Sequence, residues 1–220
     1  EELGVQVDYI PVKSYAASVA AFKNSEVQLT WFGGLSGVQA RLAVPGSKAI
    51  AQGEEDLAFV SYFIAHHSTG LTTSDAFPAQ IAGRTFTFGS KGSTSGRLMP
   101  EYYVRQHLGK APNEVFDRVG FSGDHSKTLA LVQSGSYEAG ALNFKVWENE
   151  LKVGHVDTTR VRIIWKTPPY PDYNWTVRGD VEAKYGDGFI QKIQDVLIHM
   201  TDKKLLDSFP RTRFIAVDNS

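Results

Sequence analysis

The chain has no cysteine among its 220 residues. That excludes disulfides, thiolate metal ligands and a cysteine nucleophile together. A thiol-free protein is at home in reducing and oxidising surroundings alike, so the absence fixes no compartment. Charge of one sign is lacking too: 23 basic and 24 acidic residues leave a net charge of −1. Nucleic-acid binders carry a basic excess or stripe, so no nucleic-acid partner is expected. An anionic ligand would have to be caught by local geometry instead. No apolar run reaches the roughly 18 residues that cross a bilayer, so the chain is not expected to span a membrane. The motifs of zinc proteases, catalytic triads and nucleophile elbows are missing as well. His66 and His67 are adjacent, and in a strand their rings would point to opposite faces, so they are not expected to share a metal. No metal and no cofactor is expected.

What is present is ordinary for a globular protein, with 42% hydrophobic and 21% charged residues. The length fits one large domain or two small lobes. The opening Glu1-Glu2-Leu3-Gly4 reads like the tail of a helix stopped by glycine, so a segment before it is expected. Strand-like and helix-like stretches then alternate. Val5 to Val12 is a β-rich run. Ser14 offers an N-cap for a helix with Tyr15, Val19 and Phe22 on one face. Val27 to Phe32, Thr85 to Phe88, Val119 to Gly123, Ala139 to Phe144 and Val161 to Trp165 read as strands, and Ala58 to Ala65 is a longer apolar run. Helices are expected over about Thr94 to Leu108, over Ser126 to Ser134, and where Phe189, Ile193, Val196 and Met200 form one stripe. This alternation predicts the α/β class, with parallel sheets covered by helices. Ala20 to Phe32 and Ala130 to Leu142 both run helix, polar turn, strand, which predicts two similar lobes.

Four stretches carry chemistry. Gly89-Ser90-Lys91-Gly92-Ser93-Thr94-Ser95-Gly96 lies between a strand and a helix. The first turn of a helix exposes unpartnered N–H groups and a partial positive charge, glycines let an oxyanion approach, and hydroxyls add donors. A plain N-cap would use only one of the three hydroxyls. Gly123-Asp124-His125-Ser126 opens a second helix; His125 is either an oxyanion donor or an exposed residue beside a capping Asp124 or Ser126. In Pro168-Pro169-Tyr170-Pro171-Asp172-Tyr173-Asn174-Trp175, a stiff loop carries one carboxylate that could accept from a protonated oxyanion; composition alone favours a surface turn with aromatic anchors. Trp31, before Gly33-Gly34, is either a wall of a cleft or part of a core.

Together, the Gly-Ser-Thr-Ser-Gly helix start, the Asp-His-Ser start, the Pro-rich Asp segment, Trp-Phe-Gly-Gly and Ser-Tyr-Phe-Ile-Ala resemble the phosphonate/phosphite-binding proteins of ABC transporters, and most closely their phosphite- and hypophosphite-binding branch. The resemblance runs from Leu3 to Val217. It implies the type II periplasmic-binding-protein fold: two α/β lobes joined by a two-strand hinge, residues 1–63 plus 165–220 and residues 64–164, with a leading strand and helix before Glu1. It implies ligand contacts from Ser93, Thr94, Ser95, His125, Asp172 and Tyr15, with Trp31 as a wall. The register leaves either Ser61 or Tyr62 to face the ligand. Members that bind aminoethylphosphonate carry an acid after the strand corresponding to Ala139–Asn143; here Asn143-Phe144-Lys145-Val146-Trp147 has none before Glu148. An unpaired ammonium in a closed cleft is costly, so an amine-free ligand is expected: phosphite, then hypophosphite or methylphosphonate. The resemblance further implies a protein that is not an enzyme, delivering its ligand to an ABC permease from the periplasm or, in a single-membrane bacterium, from the cell surface as a lipoprotein. A sensing domain of a signalling receptor is the alternative, and an enzyme on the same bilobal fold with His125, Asp124 and Asp172 as acid/base groups is a further one.

Overall fold

A computed structural model describes residues 2–219 of the chain. In chain order the elements are α1 (Tyr15–Lys23), β1 (Leu29–Phe32), α2 (Gly34–Ala43), β2 (Lys48–Gly53), β3 (Ser61–His66), β4 (Thr85–Phe88), α3 (Met99–Leu108), α4 (Pro112–Val115), β5 (Arg118–Phe121), α5 (His125–Gln133), β6 (Ala139–Asn143), α6 (Phe144–Lys152), β7 (Val161–Lys166), β8 (Asn174–Val177), α7 (Val181–Tyr185), α8 (Phe189–Ile198), α9 (Lys203–Ser208) and β9 (Phe214–Ala216). They form two compact units, Glu1–Phe59 with Tyr170–Ser220, and Val60–Pro169.

The discontinuous unit carries a four-stranded sheet in the order β1-β8-β2-β9. Every pairing in it is antiparallel, with Val177 opposite both Leu29 and Lys48. The alternation of helix and strand had predicted a parallel sheet. β1 and β2 do run the same way, but β8, returning after the second unit, inserts between them. Each of the two then meets an antiparallel neighbour. Ile50, Val177, Phe189, Ile193, Leu197 and Phe214 form the core on one side, and Phe22, Phe32 and Ala40 a smaller cluster. In α8 the buried row is Phe189, Ile193 and Leu197, while Val196 and Met200 of the expected stripe are half-buried.

The β-rich run Val5 to Val12 is not a strand. Val7 and Tyr9 are 75% and 89% exposed. β-propensity measures fit to a pleated, half-buried surface, and this run has no ladder partner among the described residues.

The second unit carries a five-stranded sheet, β5-β4-β6-β3-β7. β4 is parallel to β5 and β6, and β3 is antiparallel to β6 and β7. Strand alternation sends Phe63 and Ala65 into one cluster with Phe86, Phe88, Val104 and Trp165, and Ile64 into another with Leu129, Val132, Leu142 and Trp147. Both faces are covered at the central strands β3 and β6, which is why the stretch ending in β3 reads as a long apolar run. Fully burying a phenylalanine such as Phe63 or Phe86 contributes about 2–3 kcal/mol.

The helix–turn–strand unit expected in each half is present in each unit. α1 closes through Ser25 at φ +63° and leads to β1, while α5 closes through Gly135 at φ +80° and leads to β6. One expectation about the histidines is overturned. His67 leaves β3 into a short helical turn, and its ring lies 4.3 Å from that of His66, not on the opposite face. No group of three or more His, Cys, Asp or Glu among the described residues could hold a metal ion.

Candidate oxyanion-binding site

In the second unit, β5, β4 and β6 are parallel and deliver their carboxyl ends to one edge of the sheet. That edge is where ligands bind in open α/β sheets. Antiparallel β3 begins at the same edge, with Ser61 opposite Asn143. Three helix starts collect there: the turn after β4, α5 after β5, and α6 directly after β6.

The turn after β4 is capped by Ser93, whose Oγ accepts from the Gly96 N–H at 2.9 Å. Leu98 N–H donates to the Ser93 carbonyl at 3.0 Å and Met99 N–H to the Thr94 carbonyl, each five residues back. The first turn is therefore wider than an α-helix, a form found often at functional sites. Ser93, Thr94 and Ser95 are all buried. The Ser95 Oγ has no hydrogen-bond partner among the described residues. A buried hydroxyl left unmet costs about 1–3 kcal/mol, so its retention needs a reason. Glycine is needed at two points. Gly89 N–H donates to the Gly96 carbonyl at 2.8 Å, and a Cβ on either would meet the other's Cα at 3.3 Å. A Cβ on Gly96 would also stand 2.9 Å from His125 Cε1 and 3.0 Å from Ser93 Oγ.

His125 is the first residue of α5, and Asp124 is the cap, its Oδ1 accepting from Lys127 N–H at 2.7 Å. The Asn143 N–H donates to His125 Nδ1 at 3.2 Å. This assigns the acceptor role to Nδ1 and leaves the proton on Nε2. Burial pushes the imidazole from 6.5 down to about 4, against the opposing pull of Asp124. At neutral pH His125 is thus an uncharged donor. Ser61 and Tyr62 part company as adjacent strand residues must. Ser61 Oγ donates to the Ser95 carbonyl at 2.7 Å. Tyr62 sets its ring edge-on against Phe144 at 6.2 Å; burial, then Glu148, raises the pKa of its hydroxyl.

The remaining predicted residues lie in the discontinuous unit. Tyr15 is the first residue of α1, behind Ser14, whose Oγ accepts from Ala17 N–H at 3.1 Å. Its hydroxyl shares a hydrogen bond with Tyr173, whose own pKa is driven well above the usual tyrosine value, by burial first and then by Tyr15 and Asp172. Asp172 is 3% exposed, and its Oδ1 accepts from Gly34 N–H at 2.8 Å. α2 has no side-chain cap of its own at Gly33, so this distant carboxylate serves its positive end. Trp31 stacks on Tyr173 at 5.6 Å and touches Trp175, Phe209 and Phe214. It is a member of an aromatic cluster packed on the core of its own unit.

Sequence reasoning missed the ion pair beneath that cluster. Arg211 grips Asp56 with Nε–Oδ2 at 2.6 Å and Nη2–Oδ1 at 2.8 Å, both side chains almost fully buried. The guanidinium lies 5.5 Å from the Trp31 ring and 5.3 Å from that of Tyr173. Burial raises the Asp56 pKa even though Arg211 opposes it. No local spacing signals a pair 155 residues apart.

Comparison with known proteins gives a consistent picture. The family model for the periplasmic substrate-binding protein of phosphonate ABC transporters matches residues 1–220. A probable ABC-transporter phosphite-binding protein, PhnD1 of Prochlorococcus marinus, is 42% identical over 226 residues, covering 100% of this chain and 76% of that protein. The solved structure of that PhnD1 with methylphosphonate superposes with a TM-score of 0.91 over 99% of this chain and 83% of the other. The phosphonates-binding periplasmic protein of Escherichia coli is 25% identical over 175 residues, covering 78% of this chain and 51% of that one. A binding component of a phosphonate ABC transporter from Pseudomonas aeruginosa shares the fold, with a TM-score of 0.80 at 22% identity over 99% of this chain and 72% of the other.

Proposed function

The chain belongs to the periplasmic substrate-binding proteins of phosphonate ABC transporters, with their type II architecture of two α/β lobes, and from that premise we propose that it binds a small, amine-free phosphorus oxyanion, phosphite before hypophosphite or methylphosphonate, for delivery to an ABC permease. The observation that carries this is the widened helix start at Ser93–Ser95, with its buried, unmet Ser95 hydroxyl and the neutral imidazole of His125 close against Gly96 of the same turn. Tetrahedral oxyanions need several short donors aimed at several oxygens, and hydroxyls, first-turn N–H groups and an imidazole N–H supply them without a cation. Binding involves no covalent step, and no nucleophile with a partner base is assigned.

Two facts support an amine-free ligand. The relative at 42% identity holds methylphosphonate, which has no amine. In this chain Asn143 commits its Oδ1 to the N–H groups of Lys145 and Val146. The first acid beyond it, Glu148, is half exposed and stands 3.9 Å from the Lys145 ammonium. Tyr15, Trp31, Asp172 and Tyr62 are proposed to set the choice among oxyanions. A buried carboxylate such as Asp172 accepts from a protonated oxygen and repels a ligand that only accepts. The family is periplasmic, and no helix among the described residues is long and apolar enough to cross a membrane; release into the periplasm or tethering at the cell surface both suit such a chain.

Calorimetric titration with phosphite, hypophosphite, methylphosphonate, aminoethylphosphonate and phosphate tests the proposal. Tight binding of one of the first three, with phosphate and the aminated ligand much weaker, is expected. Equal affinity for phosphate and phosphite would remove the selectivity, and tight binding of the aminated ligand would remove the argument from Asn143.

A further inference from the structure

Backbone accounting in the Ser93–Leu98 turn leaves two carbonyls to explain. An α-helical carbonyl accepts from the N–H four residues on. Here Leu98 N–H goes to Ser93 and Met99 N–H to Thr94, so each donor reaches back five. The next donor in that series would be residue 100, a buried proline with no N–H. The Ser95 carbonyl thus has no five-residue partner, and its four-residue partner, Met99 N–H, is committed to Thr94. Pro100 removes the four-residue partner of the Gly96 carbonyl as well. Buried carbonyls are seldom left unmet. Two groups from outside the helix meet these: Ser61 Oγ donates to Ser95 at 2.7 Å, and Gly89 N–H to Gly96 at 2.8 Å.

Ser61 is itself held fast. It is fully buried, its N–H donates to Thr167 Oγ1 at 3.0 Å, and its carbonyl accepts from Thr167 N–H at 3.1 Å. Its hydroxyl is therefore presented to the turn from the paired ends of β3 and the chain after β7.

We infer that Ser61 is a positioning residue for the oxyanion site: with Pro100 it holds the first turn in the five-residue register that aims Ser93, Thr94 and Ser95. In the four-residue register Met99 N–H would turn to Ser95 and Leu98 N–H to Thr94, and the peptide groups that line the site would rotate. The Pro100 ring crowds the Gly96 carbonyl four residues back and so disfavours the ordinary register there, and Ser61 satisfies the Ser95 carbonyl that the wider one strands. Ser61 acts through the Ser95 backbone without touching the ligand. This rests on the oxyanion reading of the same turn.

The test compares wild type, Ser61→Ala, Pro100→Ala and the double variant, by calorimetric titration with phosphite and methylphosphonate and by thermal unfolding without ligand. Ser61→Ala is expected to weaken both ligands by about tenfold, the worth of a misaimed hydrogen bond to a charged group. Their affinity ratio stays unchanged, because the turn grips oxygens the two share. Pro100→Ala returns a donor to the helix, so ligand-free stability holds or rises while affinity falls; a merely structural role would move the two together. The double variant loses less than the product of the single losses, since Met99 N–H then serves Ser95. If Ser61→Ala does not fold, Pro100→Ala decides. Wild-type affinity in both single variants, with wild type binding well, overturns the inference and leaves the proposed function standing. If wild type binds neither ligand, the proposed function fails, and the register is read separately by NMR. A through-hydrogen-bond coupling from Leu98 N–H to the Ser93 carbonyl, replaced in Pro100→Ala by one to Thr94, supports the inference; a wild-type coupling to Thr94 overturns it.

Discussion

Replacing His125 with Gln tests whether the site uses a neutral donor. The imidazole titrates at about 4 in the fold, against 6.5 when exposed, because burial disfavours its charged form. The folded state holds this group below its unfolded value. Between pH 6.5 and 4 the unfolded chain therefore takes up a proton that the folded chain refuses. The stability associated with the neutral ring is complete above pH 6.5 and drains away as the pH falls toward 4. At about 1.4 kcal/mol per pH unit, the loss across that window is about 3 kcal/mol. Gln keeps an acceptor for the Asn143 N–H and a donor for the ligand, but it cannot titrate. Urea unfolding of wild type and His125→Gln at steps from pH 7.5 to 4.5 isolates the effect. Carboxylates held below their usual range, such as Glu138, lose their contribution in acid in both proteins and cancel in the difference. The variant is expected to start slightly less stable and to gain on wild type by about 2–3 kcal/mol by pH 4.5. Equal acid losses in the two proteins would refute the neutral imidazole. Ligand affinity of wild type should then follow only the ligand's own ionisation between pH 8 and 5.

Three further outcomes follow from the packing. Ser93→Ala with Thr94→Ala should weaken oxyanion binding more than tenfold in calorimetry, and should cost about 1 kcal/mol of stability through the lost cap on Gly96 N–H; unchanged affinity would displace the site. Gly96→Ala places a methyl 2.9 Å from His125 Cε1, so circular dichroism should show a folded protein whose titration shows little binding; wild-type affinity would mean that the close approach has no functional consequence. Asp56→Asn leaves the buried Arg211 guanidinium without its carboxylate and should lower stability by about 3–5 kcal/mol in chemical unfolding, whereas a loss under about 1 kcal/mol, typical of exposed pairs, would show that the pair is solvated.

Much of the second unit was legible in the chain. β4, β5, β6 and β7 stand close to where the sequence placed them; β6, buried at every position, leaves the continuous signal of a strand covered on both faces, while edge strand β5 is exposed or half-buried throughout. The helix starts were legible for a different reason. Capping is local chemistry between residues two or three apart, so Ser93, Asp124 and Ser14 announce themselves. The discontinuous unit was harder to read. β2 is Lys-Ala-Ile-Ala-Gln-Gly, with small residues and weak β-propensity, and it is a strand only because β8 and β9 flank it. β8 was read as the end of a Pro-rich loop, and Val5–Val12, with the better composition, is no strand at all.

The same division holds at the candidate site. Its local chemistry was determined by the sequence itself: glycines that admit close approach, three hydroxyls in a row that donate, and a proline that breaks the helical ladder five residues after Ser95. These act over one or two turns of chain. Only the tertiary structure decided that Ser61 rather than Tyr62 meets the turn, that Asn143 N–H sets the His125 tautomer, that Asp172 serves the start of α2, and that Arg211 finds Asp56. Each joins residues from 18 to 155 positions apart. Hydrophobic periodicity records which face of an element is buried, and carries no record of which distant element will cover it.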